Sequence, residues 1–188
     1  MKSSSRTAAR TTARLYAVIG ACVVMATGLT ACGGAEREYA VPKSLCGIAV
    51  PADELAPFLP AGKEIEVKER DSDDELSWKT GCLVLVDGKD VLATTVEWNE
   101  PDTRTGDFAG GVSLERPDHS TDDGHFLWSG REGFGRTGCT APDDGDRLFT
   151  AVRAYGSEHE DADAMKRVIH AYTKAVEKSD LCRSAGEL

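Results

Sequence analysis

The chain holds six cysteines and four histidines, the side chains best able to ligate a metal or attack an electrophile. Their spacing offers neither chemistry. His119, His125, His159 and His170 form no HxH or HExxH pattern, the spacings that bring two imidazoles onto one ion. No CxxC occurs, and Cys46, Cys82, Cys139 and Cys182 lie 36, 57 and 43 positions apart. No GxSxG sequence provides a nucleophile elbow. Gly130–Gly135 (GREGFG) lacks the lysine and the glycine order of a phosphate cradle, and reads as a turn entering a strand. Asp143-Asp144-Gly145-Asp146 offers oxygens without the alternation and distal glutamate of a calcium loop. Asp71–Glu75 reads as a solvated charged loop. The histidines read as ordinary surface residues; His170 falls beside core positions but on the solvent side of its helix. No catalytic group, metal site or cofactor is therefore expected.

Trp78, Trp98 and Trp128 are better suited to contact than to reaction. Large aromatics in a small domain usually complete the core. Trp98 and Trp128 also bracket the loose, glycine-containing stretch Asn99–Gly124. They are the candidate ligand contacts, flanking one mouth.

The first fourteen residues carry Lys2, Arg6, Arg10 and Arg14 and no acid, and an apolar run, Leu15–Gly28, follows. A basic head and a short apolar run make a secretory signal. As a helix the run spans about 21 Å, short of a bilayer core of about 30 Å. The arginines are not adjacent, unlike those of a twin-arginine signal. Leu29-Thr30-Ala31-Cys32 resembles the bacterial lipobox, an aliphatic residue and two small residues before cysteine. The resemblance implies cleavage between Ala31 and Cys32 and a diacylglyceryl group on the Cys32 sulfur. The bilayer is then a partner through Cys32, and the protein sits on the extracytoplasmic face of the cell membrane. Thiolate chemistry explains the need for cysteine. Two acyl chains hold a protein stably where one does not. Cys22, inside the removed run, reads as a small hydrophobe.

Residues 1–31 then form the signal peptide, 32–43 a lipidated tether, 44–184 one domain and 185–188 a tail. Fully extended, the tether reaches about 35 Å. Removing 1–31 takes away four bases and no acid, so 18 Lys plus Arg face 32 Asp plus Glu, a formal charge of −14. That excludes nucleic acid as a natural partner, since phosphate binding needs basic patches. It also argues against attraction to anionic head groups.

An even cysteine count in an exported chain reads as two disulfides among Cys46, Cys82, Cys139 and Cys182. Thr80-Gly81-Cys82 recurs as Thr137-Gly138-Cys139, each followed at matching offset by Asp-Gly and an apolar strand. A degenerate duplication would place one bridge in each half, Cys46–Cys82 and Cys139–Cys182. Reused turn chemistry explains the echo as well, and Cys46–Cys182 is the rival pairing.

These residues need elements to position them. A short helix begins near Cys46 and runs between Pro51 and Pro60, with Leu55, Phe58 and Leu59 on one face and Pro57 limiting it to about two turns. Glu64–Arg70 alternates as a strand. Cys82–Val86 and Val91–Trp98 make a hairpin around Asp87-Gly88. Asn99–Gly124 reads as a long loop with at most a strand at Val112–Leu114. Short strands follow at His125–Trp128 and Phe134–Cys139, and a firm one at Arg147–Tyr155. Met165, Val168, Ile169, Tyr172 and Val176 form the apolar stripe of a C-terminal helix, with Cys182 just beyond it. The expected fold is α+β, a largely antiparallel sheet with a short N-terminal helix and a longer C-terminal one.

Leu45-Cys46-Gly47-Ile48, Leu59-Pro60-Ala61-Gly62, Thr80-Gly81-Cys82 and a C-terminal helix ending in cysteine together resemble small actinobacterial (Streptomyces-like) cell-envelope lipoproteins of uncharacterised function. The resemblance implies export and a curved sheet flanked by helices. A non-catalytic role, binding an envelope protein or small ligand, is expected from the anchor, the disulfide-braced core and the missing catalytic set. An envelope enzyme of hydrolase type, or a passive structural component, is the alternative.

Overall fold

Asp87 and Gly88 hold φ angles of 50° and 76°, the positive values a primed two-residue turn requires. In the computed structural model, which describes residues 36–71, 79–156 and 159–183, this turn places Val86 opposite Lys89 and sets the register of the sheet. In chain order the strands are β1 (Ser44–Leu45), β2 (Ile48–Ala49), β3 (Ile65–Asp71), β4 (Lys79–Val86), β5 (Lys89–Asn99), β6 (His119–Ser120), β7 (Phe126–Trp128), β8 (Glu132–Thr140) and β9 (Arg147–Ala154). The helices are α1 (Ala52–Leu55), α2 (Thr105–Val112) and α3 (Ala162–Val176). β1 and β2 pair as a small hairpin; the others form an antiparallel seven-stranded sheet, ordered β3-β4-β5-β9-β8-β7-β6. The signal segment with Ala31 and Cys32, residues 72–75 of the charged run, Trp78 and the 185–188 tail lie outside the described residues.

The central strands β5 and β9 are buried along most of their length, because both faces of the sheet are covered. On one face Thr94 accepts a hydrogen bond from the Tyr172 hydroxyl at 2.9 Å, and the Thr150 and Thr173 hydroxyls lie 2.7 Å apart. The stripe Met165, Val168, Ile169, Tyr172 and Val176 is fully buried there. Each such side chain contributes about 1.5–3 kcal/mol by leaving water. Asp161 caps the helix, its carboxylate accepting from the Ala164 N–H at 2.9 Å.

Glycines let α3 sit this close. A Cβ on Gly133 would fall 2.7 Å from Ile169 Cβ and 3.1 Å from Met165 Sδ; one on Gly135 would fall 2.4 Å from Thr173 Oγ1. The GREGFG stretch is therefore a helix seat, with its turn at Gly130-Arg131 and its strand starting at Glu132.

The N-terminal layer extends the same core. Leu45, Ile48, Val50, Leu55, Phe58 and Leu59 are buried in it. Cys46 does not begin a helix: with φ of 45° it turns the β1–β2 hairpin together with Gly47. The helix starts at Ala52 and tightens to a 3₁₀ turn over Ala56–Phe58, where Pro57 denies the α ladder a donor. Cys46 bonds to Cys82 on β4, and Cys139 on β8 bonds to Cys182 in the 3₁₀ turn after α3. The two expected bridges are present, and the Cys46–Cys182 alternative is not.

Three further expectations need correction. Val112–Leu114 is not a strand, and 99–124 is not all loop: Val112 ends α2, and Leu114 follows it 74% exposed. Phe108 and Ala109 of α2 are buried against Phe134, Phe149 and Ala151 on the second sheet face, and the buried Thr105 donates its hydroxyl to the His125 carbonyl at 3.3 Å. That seat stabilises a helix whose three glycines would melt it alone. His170 is half-buried, not on open solvent: its ring stacks on Phe126 at a centroid distance of 3.7 Å. The segment read as a tether to Lys43 is held from Arg37 onward. The Glu38 N–H donates to the Gly62 carbonyl at 2.8 Å, Arg37 donates to the Ala56 and Leu59 carbonyls, and the Tyr39 hydroxyl donates to that of Pro60.

Candidate functional site

Strand β5 ends in Glu97-Trp98-Asn99, and the chain then turns through Glu100 and Pro101 into α2. The β8–β9 connection brings Asp144 and Asp146 to the same edge. A cleft of about 730 Å³ opens between them, with Glu97, Trp98, Asn99, Glu100, Asp107, Phe108, Asp144 and Asp146 in its walls and Lys79 the lysine among them. Its size is that of a small-ligand site.

The charges are arranged unevenly. Lys79 Nζ lies 3.4 Å from Glu97. The Arg104 backbone N–H donates to Asp107 at 3.1 Å and its side chain adds a second bond, holding that carboxyl below its ordinary pKa. Asp146 moves the other way: burial raises it, and the neighbouring Asp144 and Glu100 charges add to the effect. Asp144 also accepts from the Asp146 N–H at 3.1 Å, and Gly145 takes φ of 82° between them. The Asn99 amide nitrogen is buried without a hydrogen-bond partner among the described residues. Such a wall attracts cations. A row of carboxylates suits an ammonium or guanidinium group.

Other side chains with chemical potential meet elsewhere. Thr121 Oγ1 donates to Asp123 at 2.6 Å, and His125 Nδ1 lies 3.0 Å from the same carboxylate. The order is wrong for nucleophilic catalysis, because the carboxylate separates the hydroxyl from the imidazole that would take its proton. The trio instead closes the β6–β7 turn around Gly124 at φ of 67°. Glu132 is 2% exposed, and its carboxylate accepts from the Leu114 N–H at 3.1 Å, the Glu115 N–H at 3.2 Å and the Ser113 hydroxyl. It ties down the exit of α2. Beside it, burial alone would raise the Glu115 pKa, but hydrogen bonds from Ser129 and Arg131 and the Arg131 charge outweigh it and lower the value. Arg131 continues to Glu160 at 3.2 Å. Among the described residues no three His, Cys, Asp or Glu side chains converge as a metal would need.

The structure separates the two candidate tryptophans. Trp98, 9% exposed, borders the cleft from β5, but by strand alternation it shares the face of Thr94 and packs into the α3-side core, opposite Glu97 and Asn99. Trp128 is on β7, with β9 and β8 between them, and is 7% exposed. The His119 ring stacks on it at 5.5 Å and the Lys166 ammonium lies 5.2 Å from its centre. His159 precedes α3 and is half-buried. Lipidation at Cys32 and the Ala31–Cys32 cleavage fall outside the described residues.

Sequence reasoning singled out Trp98 as a candidate contact and weighed the Asp143–Asp146 run for calcium alone. It missed Glu97, Glu100 and Asp107 as partners, since nothing local in the sequence joins β5, α2 and the β8–β9 turn. No family profile, curated protein or solved structure matches this chain. No helix among the described residues is long and apolar enough to cross a membrane.

Proposed function

We propose that this protein is an extracytoplasmic lipoprotein, anchored through diacylglyceryl-Cys32, that binds without catalysis. Its binding site is the cleft at Trp98. The ligand is cationic, a small amine or the basic segment of an envelope protein. The observation that carries this reading is the cleft wall itself, where Glu97, Glu100, Asp107, Asp144 and Asp146 stand with a single lysine. The lipobox-like Leu29–Cys32 and the disulfides support the compartment. The non-catalytic part is supported by the Thr121–Asp123–His125 and Glu132 contacts, which bind groups able to move protons into turns and a helix exit.

The test is calorimetric titration of the intact lipoprotein with spermidine and with an arginine-rich peptide. Glu100→Gln with Asp146→Asn should weaken binding about tenfold or more, and salt should weaken it further. An affinity untouched by both changes would remove the cleft from the function. Mass spectrometry of the native protein should find a diacylglyceryl group on Cys32, and Cys32→Ala should block processing or release the protein from membranes. An unmodified thiol there would sink the anchor.

A further inference from the structure

A second concavity differs from the cleft in both charge and chemistry. A groove of about 650 Å³ runs between the β1–β2 hairpin and the C-terminal half of α3. Ile48, Ala49 and Val50 line one side, Ala171 and Ala175 the other. The small side chains leave the space, and its surface is mostly apolar. Lys43, Lys174 and Lys178 also line it, and all three are exposed. Lys174 and Lys178 are one turn apart on the same face of the helical segment. None of the three lysines has a carboxylate partner among the described residues. Glu177, which stands between two of them in sequence, points its carboxylate at the Gly138 N–H, 2.8 Å away. The net charge of −10 opposes a general attraction to anionic head groups, but three lysines without a carboxylate partner among the described residues, on one apolar groove, make a local exception and mark an anionic, partly apolar occupant.

We propose that this groove docks the domain on anionic phospholipid of the bilayer that holds the anchor, lysines on phosphate and apolar walls on the acyl edge. The proposal rests on the lipid-anchor reading above. The chain's path selects a lipid surface over an acidic protein. Cys32 and Arg37 are five residue steps apart, roughly 17 Å at full extension. Arg37 and Tyr39 are fixed to residues 56–60, and the groove begins at Lys43 in the same N-terminal layer. A short leash thus holds the groove near head groups. Each lysine at an anionic surface strengthens attachment about fivefold.

The experiment uses the native lipoprotein reconstituted in phosphatidylcholine vesicles with and without phosphatidylglycerol, read by flotation and by amide hydrogen exchange. With phosphatidylglycerol, the amides of residues 47–50 and 171–179 should exchange about tenfold more slowly. Lys43→Gln, Lys174→Gln and Lys178→Gln together should abolish the slowing while the protein still floats. Equal exchange in both vesicles, or slowing that survives the triple variant, overturns the proposal and leaves the anchor standing. Slowing seen only in native membranes assigns the groove to an acidic protein and overturns it likewise. Protein that floats with neither vesicle removes the anchor, and this proposal with it.

Discussion

His170 and Glu132 carry the sharpest consequences of burial. Burial holds the His170 pKa below its ordinary value, the Lys166 charge adds to this, and Asp123 partly opposes it. Its Nε2 has no hydrogen-bond partner among the described residues. The unfolded chain takes up the proton at about pH 6.5 while the folded chain still refuses it. The His170 contribution to stability is therefore full above that pH and is lost as pH falls towards the folded value. His170→Phe should preserve the stack on Phe126 and reduce the drop in urea midpoint between pH 7 and pH 5; an unchanged drop would contradict this. Glu132 is acceptor-only towards two backbone donors. Glu132→Gln puts a donor among donors, and should cost about 1–3 kcal/mol in urea unfolding while α2 loses exchange protection. His170 was misplaced from sequence because helical periodicity names a face but not what packs on it. Here β7 brings Phe126 over the helix edge.

At the scale of elements, the legible ones were those whose apolar pattern is local. The β4–β5 hairpin follows from Asp87-Gly88 between alternating runs, and α3 from a stripe at helical spacing. α2 has neither: Thr105–Val112 contains Gly106, Gly110 and Gly111. Its stability comes from Phe108 packing 5.2 Å from Phe149 and 6.2 Å from Phe134, partners supplied by β9 and β8, and from the Arg153 guanidinium donating to the Val112 carbonyl at 2.6 Å. Deleting 99–124 would therefore strip a sheet face, so point changes are the proper probe of the cleft. The opposite helix makes its own prediction. Gly133→Ala places a methyl against Ile169 and Met165, and should lower stability by about 1–3 kcal/mol through overpacking, read as a shift in urea midpoint. A variant as stable as the parent would mean that α3 can lift off its seat freely.

For the molecule as a whole, the disulfides close the fold from both ends. Cys46–Cys82 pins the N-terminal hairpin to β4, and Cys139–Cys182 pins the end of α3 to β8. The order β4-β5-β9-β8 sets the two cysteine-bearing hairpins back to back across the β5–β9 seam. Bridges spanning 36 and 43 positions each stabilise by roughly 3–4 kcal/mol in the chain-entropy account. Replacing Cys139 and Cys182 by serine should lower unfolding free energy by about that amount and leave Cys46–Cys82 intact in non-reducing peptide maps. Loss of both bridges together would show that they form as one unit.

The order of elements, the main core faces and the α+β class follow from the sequence alone, because apolar periodicity and turn residues act over a few positions. The choice among cysteine pairings, the existence of α2, the cleft at Trp98 and the groove at Lys43 were decided by tertiary structure. Each joins segments tens of residues apart, and only strand register and helix seating bring such segments within contact distance.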